Sequence, residues 1–200
     1  FEATVNGQKV GPLDIPADLM LTELLHEYLG LTGARMGAGD AIHAGFADLY
    51  LPESEWEGAK DRLAETGDIS GLKGRTPPPA PLAATDLSAF GARSVADIRA
   101  ALEKAGDTAS LKAIARNSPL SMAATLAMVR AARGDRRMQE SLSREYRFTH
   151  RATAEGDFIE GVRAQIIDKD RNPAWGAAAD AAKVDAMLAN LGEAELTWED

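Results

Sequence analysis

Apolar and polar positions alternate loosely over residues 1–15, and the alternation turns at Asn6-Gly7, a dipeptide suited to the positive backbone angles of a type I′ turn. The pattern predicts a β-hairpin from Phe1 to Val5 and Gln8 to Ile15, with Pro12 weakening the second strand. The period then lengthens. Leu19, Leu21, Leu24, Leu25, Tyr28 and Leu29 follow helical spacing, and Gly30 suits the left-handed position after a helix. Residues 31–52 read as a Gly-rich turn, a short helix around Asp40 to Ala44, and an apolar stretch from Phe46 to Leu51 that fits a short strand closed by Pro52. Glu53 to Thr66 sets Trp56, Ala59, Leu63 and Ala64 on one face of an amphipathic helix. From Ser70 to Gly91, the glycines and Pro77, Pro78, Pro79 and Pro81 oppose regular structure and predict an extended linker.

Beyond that linker the pattern is helical almost throughout. Ser94 and Asp97 form a capping pair, and Val95, Ile98 and Leu102 give that helix its apolar face. Ser118-Pro119 is a second start, a cap followed by a proline whose missing amide hydrogen costs nothing at the first helical position. Met122, Leu126 and Val129 are its inward stripe. Gly134 ends it, Asp135 is placed to cap the next helix, and Met138, Leu142, Tyr146 and Thr149 line one face of that helix to about Ala154. Asp157 to Ile167 and Ala178 to Leu191 predict two more helices, separated by the polar segment Asp168 to Pro173.

Composition narrows the partners. The 200 residues are 45% apolar and 26% charged, enough to bury a real core. With 22 Lys plus Arg against 31 Asp plus Glu the formal charge is -9, which repels nucleic acid and anionic membranes. The sequence holds no cysteine, so it supports no disulfide, no thiolate metal site and no cysteine-ligated iron–sulfur cluster. No apolar run approaches the roughly 20 residues of a membrane helix, and Phe1-Glu2-Ala3-Thr4-Val5 lacks the basic and apolar regions of a signal peptide. A cytoplasmic protein is the expectation.

The residues alone offer few sites. Gly33-Ala34-Arg35-Met36-Gly37-Ala38-Gly39-Asp40 matches neither glycine-rich phosphate motif, so a structural turn is favoured over a phosphate cradle. His26, His43 and His150 have no metal-ligand spacing; a metal site would need partners that only folding could assemble. Glu155, Asp157 and Glu160 are candidates for an acid and base pair, against the plainer reading that acids at a helix start cap it. Ser118, Ser121, Ser141 and Ser143 lack a nucleophile elbow. Arg133, Arg136 and Arg137 form a basic knot, read as a solvated helix end with phosphate binding as the alternative.

Function enters through longer motifs. The stretch Asp157-Phe158-Ile159-Glu160-Gly161-Val162-Arg163-Ala164-Gln165-Ile166-Ile167-Asp168-Lys169-Asp170-Arg171-Asn172-Pro173-Ala174-Trp175 resembles the C-terminal signature of 3-hydroxyisobutyryl-CoA hydrolases of the crotonase (enoyl-CoA hydratase/isomerase) superfamily, D-F-x-E-G-V-R-A-x-x-I-D-K-D-x-x-P-x-W. Asn117-Ser118-Pro119-Leu120-Ser121 and Glu140-Ser141-Leu142-Ser143-Arg144-Glu145-Tyr146-Arg147 resemble the same family's S-P-x-S and L-x-x-E-Y-R elements, in order. Leu31-Thr32-Gly33-Ala34-Arg35-Met36, with Asp40-Ala41, Ala44-Gly45 and Ala47-Asp48, resembles its L-T-G-x-R segment, so the likeness spans about residues 29–198. Residues 1–33 are instead similar to the N-terminus of the iron–sulfur small subunits of molybdenum hydroxylases, through Thr4-Val5-Asn6-Gly7-Gln8-Lys9-Val10, Asp14-Ile15-Pro16 and Leu29-Gly30-Leu31-Thr32-Gly33. The cysteine motif expected there is replaced by Gly37-Ala38-Gly39-Asp40-Ala41-Ile42-His43-Ala44-Gly45, so the two resemblances meet as in a chimera.

The resemblances imply a mainly α (α+β) fold: an N-terminal β-hairpin plus helix, then the helical C-terminal half of a crotonase-like fold. They divide the chain into a ferredoxin-like hairpin and helix remnant (1–30), a crotonase-like segment (31–69), the Pro/Gly-rich linker (70–91) and a helical C-terminal region (92–200). They imply hydrolysis of 3-hydroxyisobutyryl-CoA to 3-hydroxyisobutyrate and CoA, a valine-degradation step, with no metal and no cofactor beyond the CoA of the substrate. In such hydrolases the oxyanion-hole amides and catalytic carboxylates precede the L-T-G segment, so no catalytic residue is assigned here and little or no turnover is expected. Lys169 aligns with the lysine that crotonases place near the nucleotide and is the expected CoA-binding residue. A noncatalytic helical interaction module, able to form a homo-oligomer, is the alternative, and a remnant of an electron-transfer subunit the second alternative.

Overall fold

A computed structural model describes residues 26–198 and the backbone of residues 3–5 and 8–10. Strands β1 (Ala3–Val5) and β2 (Gln8–Val10) pair antiparallel with Ala3 opposite Val10 and Val5 opposite Gln8. The Asn6-Gly7 turn and the start of the helix expected from Leu19 lie outside the described residues. Everything else in the described chain is helix, turn or loop. The chain divides into two compact units, one of residues 1–25 with 34–87 and one of residues 26–33 with 88–200.

In the first unit, α2 (Ala38–His43) is preceded by Gly37, and a 3-10 turn (Glu53–Glu55) leads into α3 (Trp56–Thr66). Asp40 explains why the Gly-rich stretch is a turn. Its buried carboxylate accepts the Leu82 backbone N–H at 2.9 Å and the Gly37 N–H at 3.4 Å, binding two segments 42 residues apart in sequence. Gly39 permits that approach, because a Cβ there would fall 2.1 Å from the Pro78 carbonyl oxygen and 2.6 Å from that of Pro79. The strand expected over Phe46 to Leu51 is not formed; only Tyr50 bridges, antiparallel to Arg75, and Phe46 and Leu49 are exposed. The expected linker is also more ordered than its prolines suggest. A 3-10 turn (Pro81–Ala84) begins at a proline and buries Leu82, and Leu87 is buried after it. The apolar face of α3 stays open, with Trp56 and Leu63 exposed.

The second unit holds α1 (residues 26–32), α4 (Val95–Ala105), α5 (Thr108–Ala115), α6 (Pro119–Ala132), α7 (Met138–Glu155), α8 (Phe158–Val162) with a π turn (Arg163–Ile167), and α9 (Ala181–Leu188). Four starts follow one rule, a side-chain oxygen accepting a first-turn amide: Ser94 from Asp97, Asp107 from Ser110, Ser118 from Ser121 and Asp180 from Lys183. Ile98, Leu102 and Ile114 are fully buried on α4 and α5, and Leu120 and Ala124 of α6 pack with Val184 and Met187 of α9, flanked by Phe148 of α7. The predicted stripe of α7 behaves otherwise: Met138 is 76% exposed, and the helix begins at Arg137 without a side-chain cap. Asp135, expected to cap it, instead accepts the Ser141 hydroxyl at 2.5 Å and the Arg144 guanidinium.

An ion pair ties the unit's first residues to its middle. Glu27 on α1 is 1% exposed, and its Oε1 accepts Arg130 Nε and Arg133 Nη2, each at 2.8 Å. Arg130 also donates to the Phe90, Ala92 and Arg93 carbonyls, fixing a 3-10 turn (Ser88–Gly91) where Phe90 packs edge-on to Tyr28. No helix among the described residues is long and apolar enough to cross a membrane.

Two stability predictions follow from these contacts. Arg130→Ala leaves a buried carboxylate with one partner and strips three carbonyls of a donor, so urea unfolding should show a loss of about 3 kcal/mol. Gly39→Ala places a methyl group against backbone that cannot move aside, and should cost about 1–3 kcal/mol by the same measurement.

Candidate functional site

The signature region 157–175 folds into one arginine-centred unit. Arg163, at the junction of α8 and the π turn, makes hydrogen bonds to four residues. Its Nε and Nη2 grip Glu160 at 2.9 and 2.7 Å, Nη1 reaches Asp168 at 2.6 Å and Asp170 at 2.8 Å, and Nη2 meets the Asn172 carbonyl at 3.1 Å. The planar guanidinium offers five donors in a fixed fork, which is why one side chain can hold a whole loop. Glu160 also accepts the Ala174 N–H at 2.6 Å, and Asp170 the Asn172 N–H at 2.8 Å.

This bracing holds a backbone that is otherwise disfavoured. Lys169 and Arg171 have φ of 57° and 54°, the left-handed region that costs a non-glycine residue about 1–3 kcal/mol. The Arg171 N–H donates to the Ala164 carbonyl at 3.0 Å, and the Asp168 N–H to the Arg163 carbonyl at 2.8 Å, so the loop folds back on the π turn. Lys169 lies exposed at its outer edge, between the two aspartates that Arg163 bonds.

A second set of contacts joins the signature to the helix starts before it. The Ser118 hydroxyl donates to Asp157 at 2.5 Å, the other Asp157 oxygen accepts the Gly176 N–H at 3.0 Å, and Trp175 Nε1 donates to the Arg116 carbonyl at 3.0 Å. Ser118 is therefore both a cap and a strut. Asp157, Glu155, Asp180 and Lys183 border a pocket of about 310 Å³ floored by Leu120 and Ala177 to Ala179.

Charges follow these bonds. Arg163 and the Ala174 amide hold the Glu160 carboxyl at about 2, against an ordinary 4.5. Asp170 is lowered by Arg163 and then by the Asn172 amide, and Arg163 itself is raised, first by Glu160.

The structure does not assemble the acid and base pair considered from sequence. Glu155 reaches Lys183 at 3.5 Å, Asp157 serves Ser118 and Gly176 without capping α8, and Glu160 serves Arg163. The basic knot is divided too: Arg133 turns inward to Glu27, while Arg137 lies 3.8 Å from Glu140. His150 stacks at a tilt against Tyr146, and among the described residues no group of three or more His, Cys, Asp or Glu is arranged to hold a metal. Arg163 was missed as the centre of the site. Its signal was legible in Glu160 three residues before it and in the acids flanking Lys169. The Ser118–Asp157 pair, 39 residues apart, had no local signal.

Fold and loop together define a helical module that presents a lysine on an arginine-braced acidic turn. The chain belongs to the enoyl-CoA hydratase/isomerase family, whose model matches residues 19–191. That match begins inside the stretch compared above with iron–sulfur subunits, whose resemblance otherwise lies mostly outside the described residues. The chain is 40% identical to an enoyl-CoA hydratase from Rhodobacter sphaeroides of known crystal structure, with a TM-score of 0.78 over 89% of this chain and 57% of that one. It is 30% identical to the mitochondrial 3-hydroxyisobutyryl-CoA hydrolase of Gallus gallus, over 76% of this chain and 44% of that protein. It is also 30% identical to the small ribosomal subunit protein mS47 of Schizosaccharomyces pombe, over 74% of this chain and 40% of that protein. The chain spans about half the length of the curated relatives it matches.

Glu160 sets an acid-side expectation. Its folded value lies below its ordinary one, so the stability it contributes is complete above about pH 4.5 and is lost as pH falls toward about 2. Carboxyl-detected NMR should find Glu160 titrating last among the glutamates, and Glu160→Gln should flatten the acid-unfolding slope in that window.

Proposed function

We propose that this chain serves the hydrolysis of 3-hydroxyisobutyryl-CoA to 3-hydroxyisobutyrate and CoA, supplying the CoA-facing side of the site with Lys169 nearest the nucleotide. One observation carries the reading. The hydrolase-like signature folds as a single braced unit, and what it holds out is an ammonium on a strained, fixed backbone. Bracing of this kind reduces the ordering cost of binding an anion.

By itself the chain is proposed to turn over little or no thioester. Hydrolysis needs amide donors aimed at the developing oxyanion, worth roughly 3–4 kcal/mol each, and a carboxylate that activates water. The signature's carboxylates Asp157, Glu160, Asp168 and Asp170 are all engaged in holding structure. The reaction uses no metal, and CoA enters only as part of the substrate. A cytoplasmic location belongs to the same proposal.

A second reading, a noncatalytic helical interaction module, is favoured by one feature of the second unit. Phe158, Ile159, Ile166 and Ile167 are 55–69% exposed, a concentration of large apolar side chains on one short helical stretch. The likeness to a ribosomal subunit protein supports it. Light scattering showing a monomer that binds no hydrophobic dye would remove this reading.

Calorimetric titration with CoA, beside a thiol-release assay with 3-hydroxyisobutyryl-CoA, tests the first reading. We expect CoA to bind, Lys169→Ala to weaken it about three- to tenfold, and thiol release to stay at the buffer rate. Lack of CoA binding would end the Lys169 assignment, and sustained release would end the claim of inactivity.

A further inference from the structure

A groove of about 470 Å³ runs beside α3 in the first unit, and none of its lining residues belongs to the signature region. Its volume is in the ordinary range of small-molecule sites. The sequence builds it by folding residues 67–75 back along the helix. Gly67, at φ 64°, ends α3; the Asp68 N–H then bonds the Thr66 hydroxyl at 3.1 Å, and the Ser70 N–H bonds Asp68 at 2.8 Å. At the far end the Arg75 N–H donates to the Tyr50 carbonyl at 2.8 Å.

Three cations line the groove. Arg75 is held by both oxygens of Glu55, at 2.9 and 2.7 Å. Arg62 lies flat against Gly71, where an added Cβ would fall 1.6 Å from its Nη2, and gives one donor to the Gly71 carbonyl at 3.3 Å. Asp68 feels the charge of Arg62, but both of its oxygens are taken by Ser70 at 2.8 and 2.7 Å. Lys73 has no carboxylate partner among the described residues.

Against these cations Glu55 is the one carboxylate in the lining and Asp68 the acid beside Arg62 at its edge, leaving a local surplus of positive charge in a chain whose formal charge is -9. That surplus attracts a phosphate monoester, which carries about -1.5 to -2 near neutral pH. Two guanidiniums with fixed planes and unused N–H donors suit its oxygens better than one carboxylate, and Leu51 and Leu72 provide an apolar wall beside them. We propose that this groove binds a small organic phosphate, its phosphate between Arg62, Lys73 and Arg75 and its carbon portion against Leu51 and Leu72.

The test is a two-dimensional amide NMR titration of the full chain at constant ionic strength, with adenosine 5′-monophosphate and, separately, inorganic phosphate. The expected result is saturable shifts confined to residues 54–75, with a dissociation constant of about 1 mM or tighter for the nucleotide and weaker binding of inorganic phosphate. Lys73→Glu, an exposed change that leaves the fold intact by circular dichroism, should weaken binding at least about tenfold. Gly71→Ala, which drives Arg62 from its seat, should weaken it as well. Lys169→Ala should leave these shifts unchanged, separating this groove from the proposed CoA contact. Shifts that do not saturate at about 20 mM, or an affinity indifferent to Lys73→Glu, would overturn the site. Equal affinity for inorganic phosphate would overturn its organic part.

Discussion

Glu27 is a carboxylate almost without access to water, and the second unit is arranged around the need to give it partners. A lone buried carboxylate costs several kcal/mol, so Arg130 and Arg133, two positions on one side of α6 and its end, both turn to its Oε1. Its Oε2 finds no donor among the described residues, so one oxygen carries both contacts. Arg130 converts this local demand into architecture. Its remaining N–H groups satisfy the carbonyls of Phe90, Ala92 and Arg93, and that holds the turn in which Phe90 packs against Tyr28, just before α4 opens at Ser94.

The same device recurs at the signature. Arg163 bonds three acids and a carbonyl, and those bonds hold the left-handed backbone at Lys169 and Arg171. Exposed ion pairs singly contribute little, but a bidentate pair shared through a network holds geometry even where its net energy is modest. Ser118 and Asp157 extend that bracing to the start of α6, so the loop, the helix start and the Trp175 contact to Arg116 form one continuous polar scaffold. Meanwhile Phe158, Ile159, Ile166 and Ile167 leave the outer side of the same stretch apolar.

Two helix starts were legible in the sequence because capping is a local exchange: Ser94 and Ser118 each satisfy amides within three residues. Buried faces such as Ile98 and Leu102 were legible too, since a period of 3.6 survives in any environment that covers one side. The signature itself was readable, and with it the family. Less was readable where a neighbour decides. The stretch Phe46 to Leu51 has strand-like residues, but a strand needs a partner with free edge groups, and among the described residues only Arg75 supplies one, at Tyr50. The prolines of 77–81 suggested an unstructured connection, yet the Asp40 carboxylate recruits Leu82 and packs it.

By itself, then, the sequence determined most of the helices, the caps at Ser94 and Ser118, the absence of thiolate chemistry and the family resemblance, all properties of short windows or of composition. Tertiary structure decided the rest: that Glu27 is buried against Arg130, that Asp157 pairs with Ser118, and that Arg163 rather than Asp157 or Glu160 centres the signature. The physical reason is that a carboxylate's role depends on which donor reaches it first. In this chain those donors come from as far as 106 residues away, a distance over which sequence pattern carries no information about contact.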